Sequence, residues 1–479
     1  MKDFDVIAVG TGSAMNIIGA MQDRNPDLKV AIIDKDEPGG ICLTRGCIPS
    51  KILLYPADLV RTVQGAAQFG IEAPIKAIHF EQVMDRMRQM ISRDIEEIRH
   101  GLSHAPNMTY YHAQAEFIAP YTMKVGNDTI KAPMILLCIG SRPLVPPIKG
   151  LDKAGYHTSD TVLGLRKLPA AVGIIGGGYI AAEYGHFFAS TGSRVTIVGR
   201  QPQFLPREDP EIAELARAEM SRSMTILTNT QVVEVEHSLL GKKTMIGVDR
   251  TTGQKYTIPV DEILVAAGRA SNADLIHPER SGILVDQNGW IATDDHLETA
   301  ASGIWAFGDA NGKHMFKHVA NYESVVVYYN AVQKKNMAVD YKAVPHAVFS
   351  HPEIAAVGIR EAEALQLYGK DKLLLGRARF QDTAKGSAMN AAGLVKVIAK
   401  MDDETIVGAH IVGPQASVLI QELVTLMYAG GSASAIKDGM HIHPALSEVV
   451  ERAVSQLMPV DRYYHMLSHE KGEHDHGHL

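Results

Sequence analysis

The residues best suited to chemistry are Cys42 and Cys47, separated by Leu43-Thr44-Arg45-Gly46 and followed by Ile48-Pro49-Ser50-Lys51. Two cysteines so close at the start of a helix can close a small disulfide, while the helix N-terminus and Lys51 favour the thiolate that performs exchange. The other readings of the pair are two buried small hydrophobes, or half of a zinc site. Only three cysteines occur in 479 residues, too few for a secreted disulfide framework. A disulfide here is therefore read as chemical, not structural. The third, Cys138, sits in the apolar run Met134-Ile135-Leu136-Leu137-Cys138-Ile139 and reads as a core cysteine on a strand.

The elements that must position the pair begin just before it. The run Val6 to Val9, the turn Gly10-Thr11-Gly12 and the run Lys29-Val30-Ala31-Ile32-Ile33 ending at Asp34 read as strand, glycine turn, helix and strand. Glycines at Gly10 and Gly12 let backbone N–H groups at a helix N-terminus approach a pyrophosphate, and an acid such as Asp34 suits a ribose hydroxyl. Met15 departs from the pattern, standing where a third small residue usually lets helix and strand pack. A second copy runs through Val172-Gly173-Ile174-Ile175, Gly176-Gly177-Gly178 and Arg194-Val195-Thr196-Ile197-Val198. Two dinucleotide folds in one chain are thus expected.

Glycine turns also close three more strands, at Gly140, at Gly268 and at Gly308-Asp309. Val83, Met84, Met87, Ile91, Ile95 and Ile98 recur at helical spacing and predict a scaffold helix. Beyond about residue 342, strands such as Leu394-Val395-Lys396-Val397-Ile398 alternate with helical segments, predicting a separate α+β domain. His465, His469, His474, His476 and His478 crowd a C-terminal stretch with few apolar neighbours. That stretch reads as a solvated, mobile tail; metal binding by its histidines is the weaker alternative, and no metal site is assigned.

Composition bounds the function class. A net charge of −7 offers no basic face for nucleic acid. No stretch reaches the roughly 18 uncharged apolar residues of a membrane span, and Met1-Lys2-Asp3-Phe4-Asp5 does not read as a secretory leader. Neither nucleic acid nor membrane is expected as a partner, and the expected location is cytoplasmic.

The cysteine motif from Gly39 to Lys51, the paired dinucleotide folds and the segment His443-Pro444-Ala445-Leu446-Ser447-Glu448 together resemble the class I pyridine nucleotide-disulfide oxidoreductases, from Asp5 to about Leu457. The resemblance implies an α/β fold with two Rossmann-like domains, for FAD and for NAD(P), plus a C-terminal α+β dimerisation domain. Its implied division is 1–148 for the first part of the FAD domain, 149–270 for NAD(P), 271–341 for the second FAD part, 342–464 for dimerisation and 465–479 for the tail. It further implies that Cys47 is the flavin-proximal thiolate and Cys42 the sulfur that exchanges with substrate. Lys51 would lie beside the flavin, paired with Glu183, and Asp309 would meet the ribityl or pyrophosphate region of FAD. Gly140 and Gly268 count among the cofactor-binding positions.

Thiol exchange needs a proton carrier with a pKa near working pH, and a histidine oriented by a carboxylate is the usual solution. His443 and Glu448 supply that pair, whereas His441 is read as structural. A homodimer with shared active sites follows from the resemblance, His443 reaching the disulfide of the other subunit.

Arg200, after the return strand of the second fold, stands where an acid would select NADH, so NADPH is favoured. No second arginine is clearly in place, Arg207 being a candidate. The branch most resembled is that of mycothione reductases and dihydrolipoyl dehydrogenases. With no cysteine after Cys138, the C-terminal thiol pairs of mercuric reductases and large thioredoxin reductases are missing. The expected function is two-electron transfer between a nicotinamide cofactor, FAD, the Cys42-Cys47 disulfide and a small disulfide or dithiol. Dihydrolipoyl groups, including a lipoyl-bearing protein, come first. The alternatives are a low-molecular-weight thiol disulfide, as for mycothione reductases, then mercuric ion or a redox-sensing flavoprotein.

Overall fold

The strands Val6–Val9 and Val30–Asp34 pair in parallel at the centre of a five-stranded sheet, in a computed structural model that describes residues 1–238 and 241–475. Met134–Leu137 and Ile304–Ala306 extend the sheet on one side and Met108–His112 on the other, all parallel. The central strands are apolar up to Asp34 because both faces are covered. Ile7, Val9, Ala31 and Ile33 pack with Phe117, Met123 and Ile130, which come from a four-stranded sheet over one face. Val6, Ala8, Val30 and Ile32 point the other way, onto Ile17 and Ile18 of helix Ala14–Arg24 and Val326 and Val327 of helix Lys317–Val327. Ala14 takes the fully buried place in the first helix, which leaves Met15 at the margin of this cluster. The expected scaffold helix spans Phe80–His104 and buries Met84, Met87 and Ile91.

These elements belong to one compact unit, Met1–Pro147 with Gly155–Leu168 and Leu264–Asp340. The second unit comprises Ile148–Ala154, Pro169–Ile263 and Tyr341–Leu479. It holds the second dinucleotide fold, with Ala171–Ile175 parallel to Arg194–Val198 and helix Tyr179–Thr191 between them in sequence. It also holds a six-stranded sheet in the order Pro345–Val348, Ile354–Gly358, Ile406–Val412, Leu394–Lys400, Leu373–Arg379, Met458–Pro459. Helices Ala416–Tyr428 and Glu448–Ser455 close its core. Among the described residues, no helix is long and apolar enough to cross a membrane.

The expectation of a tail beginning at His465 needs correction. Val460–Asp475 is a helix, held by Val460 and Tyr463 in an apolar cluster against which Met466 and Leu467 pack. These apolar positions, three and four apart, give it an anchored side that the histidine-rich composition obscured. His476 and His478 lie outside the described residues.

Lys396 is the most unusual residue of the six-stranded sheet, its side chain only 2% exposed in the middle of strand Leu394–Lys400. Its ammonium lies 2.8 Å from Asp209, 2.8 Å from Glu211 and 2.5 Å from Glu361. Burial alone would depress its pKa, but the three carboxylates raise it instead. Lys396→Met would leave Asp209 and Glu361 buried without this counter-ion, so a loss of about 3–5 kcal/mol is expected in denaturant unfolding. A loss below about 1 kcal/mol would show that water already screens the cluster.

Candidate active site

The cysteine pair is seated directly on the first dinucleotide turn. Gly40, at φ +72°, passes so close that an added Cβ would lie 2.8 Å from Gly12 Cα. Thr11 joins the two. Its N–H and hydroxyl donate to Asp34 Oδ2 at 2.9 and 2.5 Å, and its oxygen accepts from Gly39 N–H at 2.9 Å. Cys42 lies in the short helix Gly40–Thr44, and Cys47 is the first residue of helix Cys47–Gly65. Gly46 makes the reversal between them possible, since a Cβ there would sit 2.8 Å from Ile41 O and 3.2 Å from Cys42 Cα. Arg45 pins the connection through Asp36 at 2.5 Å and Asp160 at 3.2 Å.

This geometry gives the two sulfurs different characters. The Cys42 thiol hydrogen-bonds to Cys47, and that bond together with burial pushes its pKa up. Cys47 is exposed and stands at a helix N-terminus, where the helix dipole favours a thiolate. Lys51 follows one turn later on the same helix, so the two residues share a face. Cys138 lies just past its strand, near the Gly12 turn, and burial pushes its thiol up to about 11.

The surroundings suit a dinucleotide. A Cβ on Gly10 would lie 2.1 Å from Cys138 O, so only glycine fits there. Helix Ala14–Arg24 begins with no acid in its first turn and no side-chain cap, which leaves its N–H groups to an anion. Asp309, in the turn Gly308–Asn311, accepts from the Ser141 hydroxyl at 2.5 Å, and burial raises its pKa. Arg269 donates to Ser141 Oγ at 2.9 Å, and the turn itself is fixed by Glu323, which accepts from Gly308 N–H at 2.5 Å. Lys317 donates to Ser13 Oγ at 2.9 Å. Gly140 and Gly268 both adopt positive φ. Thr11, Ser141, Arg269, Lys317 and Glu323 were not singled out from sequence, because their partners lie far along the chain and no local spacing marks them.

In the second unit, Gly176 has φ +131° and Gly178 caps helix Tyr179–Thr191, whose first turn also lacks an acid. Gly177 and Gly199 approach so closely that a Cβ on either would touch the other. Arg200 follows at the end of strand Arg194–Val198, and Arg250 donates to its carbonyl at 3.0 Å. Arg250 therefore supplies the nearby second arginine for which sequence offered only Arg207. Glu183 is buried and accepts from Phe349 N–H at 3.1 Å. His443 Nδ1 lies 2.8 Å from Glu448 Oε1, and Glu448 also accepts from Ala445 N–H at 3.0 Å. These hydrogen bonds hold the Glu448 carboxyl below its ordinary range. The His443 side chain is 69% exposed, as a core histidine would not be. His441 instead turns to Glu422 at 2.9 Å and is largely covered.

Residues 4–333 match the pyridine nucleotide-disulphide oxidoreductase family, and residues 344–454 match the dimerisation domain of the same family. The chain belongs to the pyridine nucleotide-disulphide oxidoreductases. It is 35% identical to mycothione reductase of Mycobacterium tuberculosis over 95% of this chain and 100% of that one. Dihydrolipoyl dehydrogenase of Synechocystis is 33% identical over 95% of this chain and 99% of its own. Among solved structures, the HOCl-induced flavoprotein disulfide reductase RclA from Escherichia coli superposes with a TM-score of 0.83 at 27% identity, covering 94% of this chain and 99% of that one. As an oxidoreductase of this family the protein acts on sulfur groups with FAD and a pyridine nucleotide, and its dimerisation domain supports a homodimer.

Proposed function

We propose that this oxidoreductase draws electrons from NADPH to reduce a low-molecular-weight disulfide, with Cys42 and Cys47 as its working pair. The observation that carries the choice is Arg200 just past the second return strand, with the Arg250 guanidinium brought to its carbonyl at 3.0 Å. Two guanidinium groups favour a 2′-phosphate, where an acid would serve NADH. This reverses the order of the two sequence readings, because a dihydrolipoyl dehydrogenase passes electrons to nicotinamide while an NADPH enzyme draws them from it. The 35% identity to mycothione reductase supports the same order.

FAD, held by the Gly10–Gly12 turn, Asp34 and Asp309, would relay two electrons between nicotinamide and disulfide. Cys42, whose thiol pKa is raised, attacks the substrate disulfide once deprotonated, and Cys47 then closes the internal disulfide. His443, oriented by Glu448, accepts the thiol proton on Nε2 and returns it to the departing thiolate. Lys51 and Glu183 keep the roles the resemblance implies. The proposal places the enzyme in the cytoplasm, where small disulfides are kept reduced.

A substrate panel tests the reading: lipoamide, glutathione disulfide, bis-cysteinyl thiols and mercuric ion, each with NADH and NADPH. A small disulfide with NADPH is expected to give the highest kcat/KM. Arg200→Glu is expected to raise the KM for NADPH by the equivalent of about 1–3 kcal/mol and to admit NADH. A wild-type enzyme that already prefers NADH, or that turns over only lipoamide, overturns the proposal.

A further inference from the structure

Helix Val460–Asp475 carries a side-chain pair that the disulfide chemistry does not use. Its anchored side is set by Tyr463, whose hydroxyl donates to Glu211 at 2.5 Å, and by Met466 and Leu467. His465 and His469, four residues apart, lie exposed to solvent and one turn from each other. Their ring centroids are 4.5 Å apart and their Nε2 atoms 3.3 Å apart. Two imidazole nitrogens bound to one zinc ion at about 2.0–2.1 Å and a tetrahedral angle are separated by about 3.3–3.4 Å.

We propose that His465 and His469 form a surface site for a divalent transition metal, zinc(II) by this geometry, with both Nε2 atoms as ligands and water completing the coordination. The docked helix holds the two rings in reach of one ion before it arrives, which lowers the ordering cost of binding. The acidic group of Asp209, Glu211 and Glu361, whose carboxylate atoms lie within 4.8 Å of one another, is no rival, because the Lys396 ammonium already fills it.

The test is zinc(II) competition against a chromophoric chelator, using the full-length, FAD-loaded enzyme with its cysteines oxidised so that thiolates do not compete. A variant with His474, His476 and His478 all changed to Ala is expected to bind one zinc ion as tightly as the wild type. In that background His465→Ala or His469→Ala is expected to weaken binding at least tenfold, with disulfide turnover unchanged as the check on folding. The proposal is overturned if the single-histidine variants bind zinc as well as their parent. It is equally overturned if the triple variant loses the site, or if no zinc binds and the two rings are merely hydrogen-bonded to each other.

Discussion

Cys42→Ser is expected to abolish disulfide turnover, a loss of at least about 10⁴-fold, while FAD stays bound and is still reduced by nicotinamide. The asymmetry of the pair is the reason. The Cys42 thiol donates a hydrogen bond to Cys47 and has its pKa raised, whereas Cys47 is favoured as a thiolate by its helix terminus. A serine hydroxyl cannot form the mixed disulfide through which exchange runs. Cys47, left alone, should then give a thiolate-to-flavin absorbance band. Stopped-flow reduction and the visible spectrum read both outcomes. Normal turnover of every disulfide by Cys42→Ser would mean that the exchanging sulfur has been assigned wrongly.

The second large effect concerns His443. Its exposed ring, fixed by Glu448 at 2.8 Å, has its proton favoured on Nδ1, so that Nε2 is the basic nitrogen. His443→Gln is expected to lower kcat by about 10²–10⁴-fold, the usual worth of a positioned proton carrier. If each His443 serves the disulfide of the other subunit, an enzyme lacking Cys42 and an enzyme lacking His443 should complement when their subunits exchange. About half of the re-associated dimers would be hybrids, each with one intact site of two, so about a quarter of full activity should return. Proven exchange with no recovery, or a stable monomer with full turnover, would mean that each subunit works alone.

Much of this was legible in the chain because the motifs are local. Cys42 and Cys47 announce exchange chemistry by type and spacing, and the glycine turns at Gly10 and Gly176 announce two dinucleotide folds through the strands around them. What stayed hidden depends on residues that meet only after folding. Thr11 is ordinary in sequence until its oxygen is found between Asp34 and Gly39. Arg250 reaches Arg200 from a hairpin fifty residues away. Lys396 follows the alternation of an ordinary strand, and its three acidic partners lie on segments up to 187 residues distant. The C-terminal helix was misread because histidines crowd this end of the chain, while only a few apolar residues decide that the helix docks.

Lys396 also frees the second unit from dependence on its medium. A fold that gathers Asp209, Glu211 and Glu361 into one place needs a cation there, and many folds recruit one from solution, leaving themselves open to chelators. Here the cation is tethered to the strand it stabilises, present at a local concentration that no dissolved ion matches. Starvation for divalent metal therefore leaves this junction intact. Acid is what threatens it: burial would raise the pKa of Asp209, yet the Lys396 charge holds it low, so the stability it contributes is full above the unfolded carboxylate pKa and drains away as pH falls through the folded one.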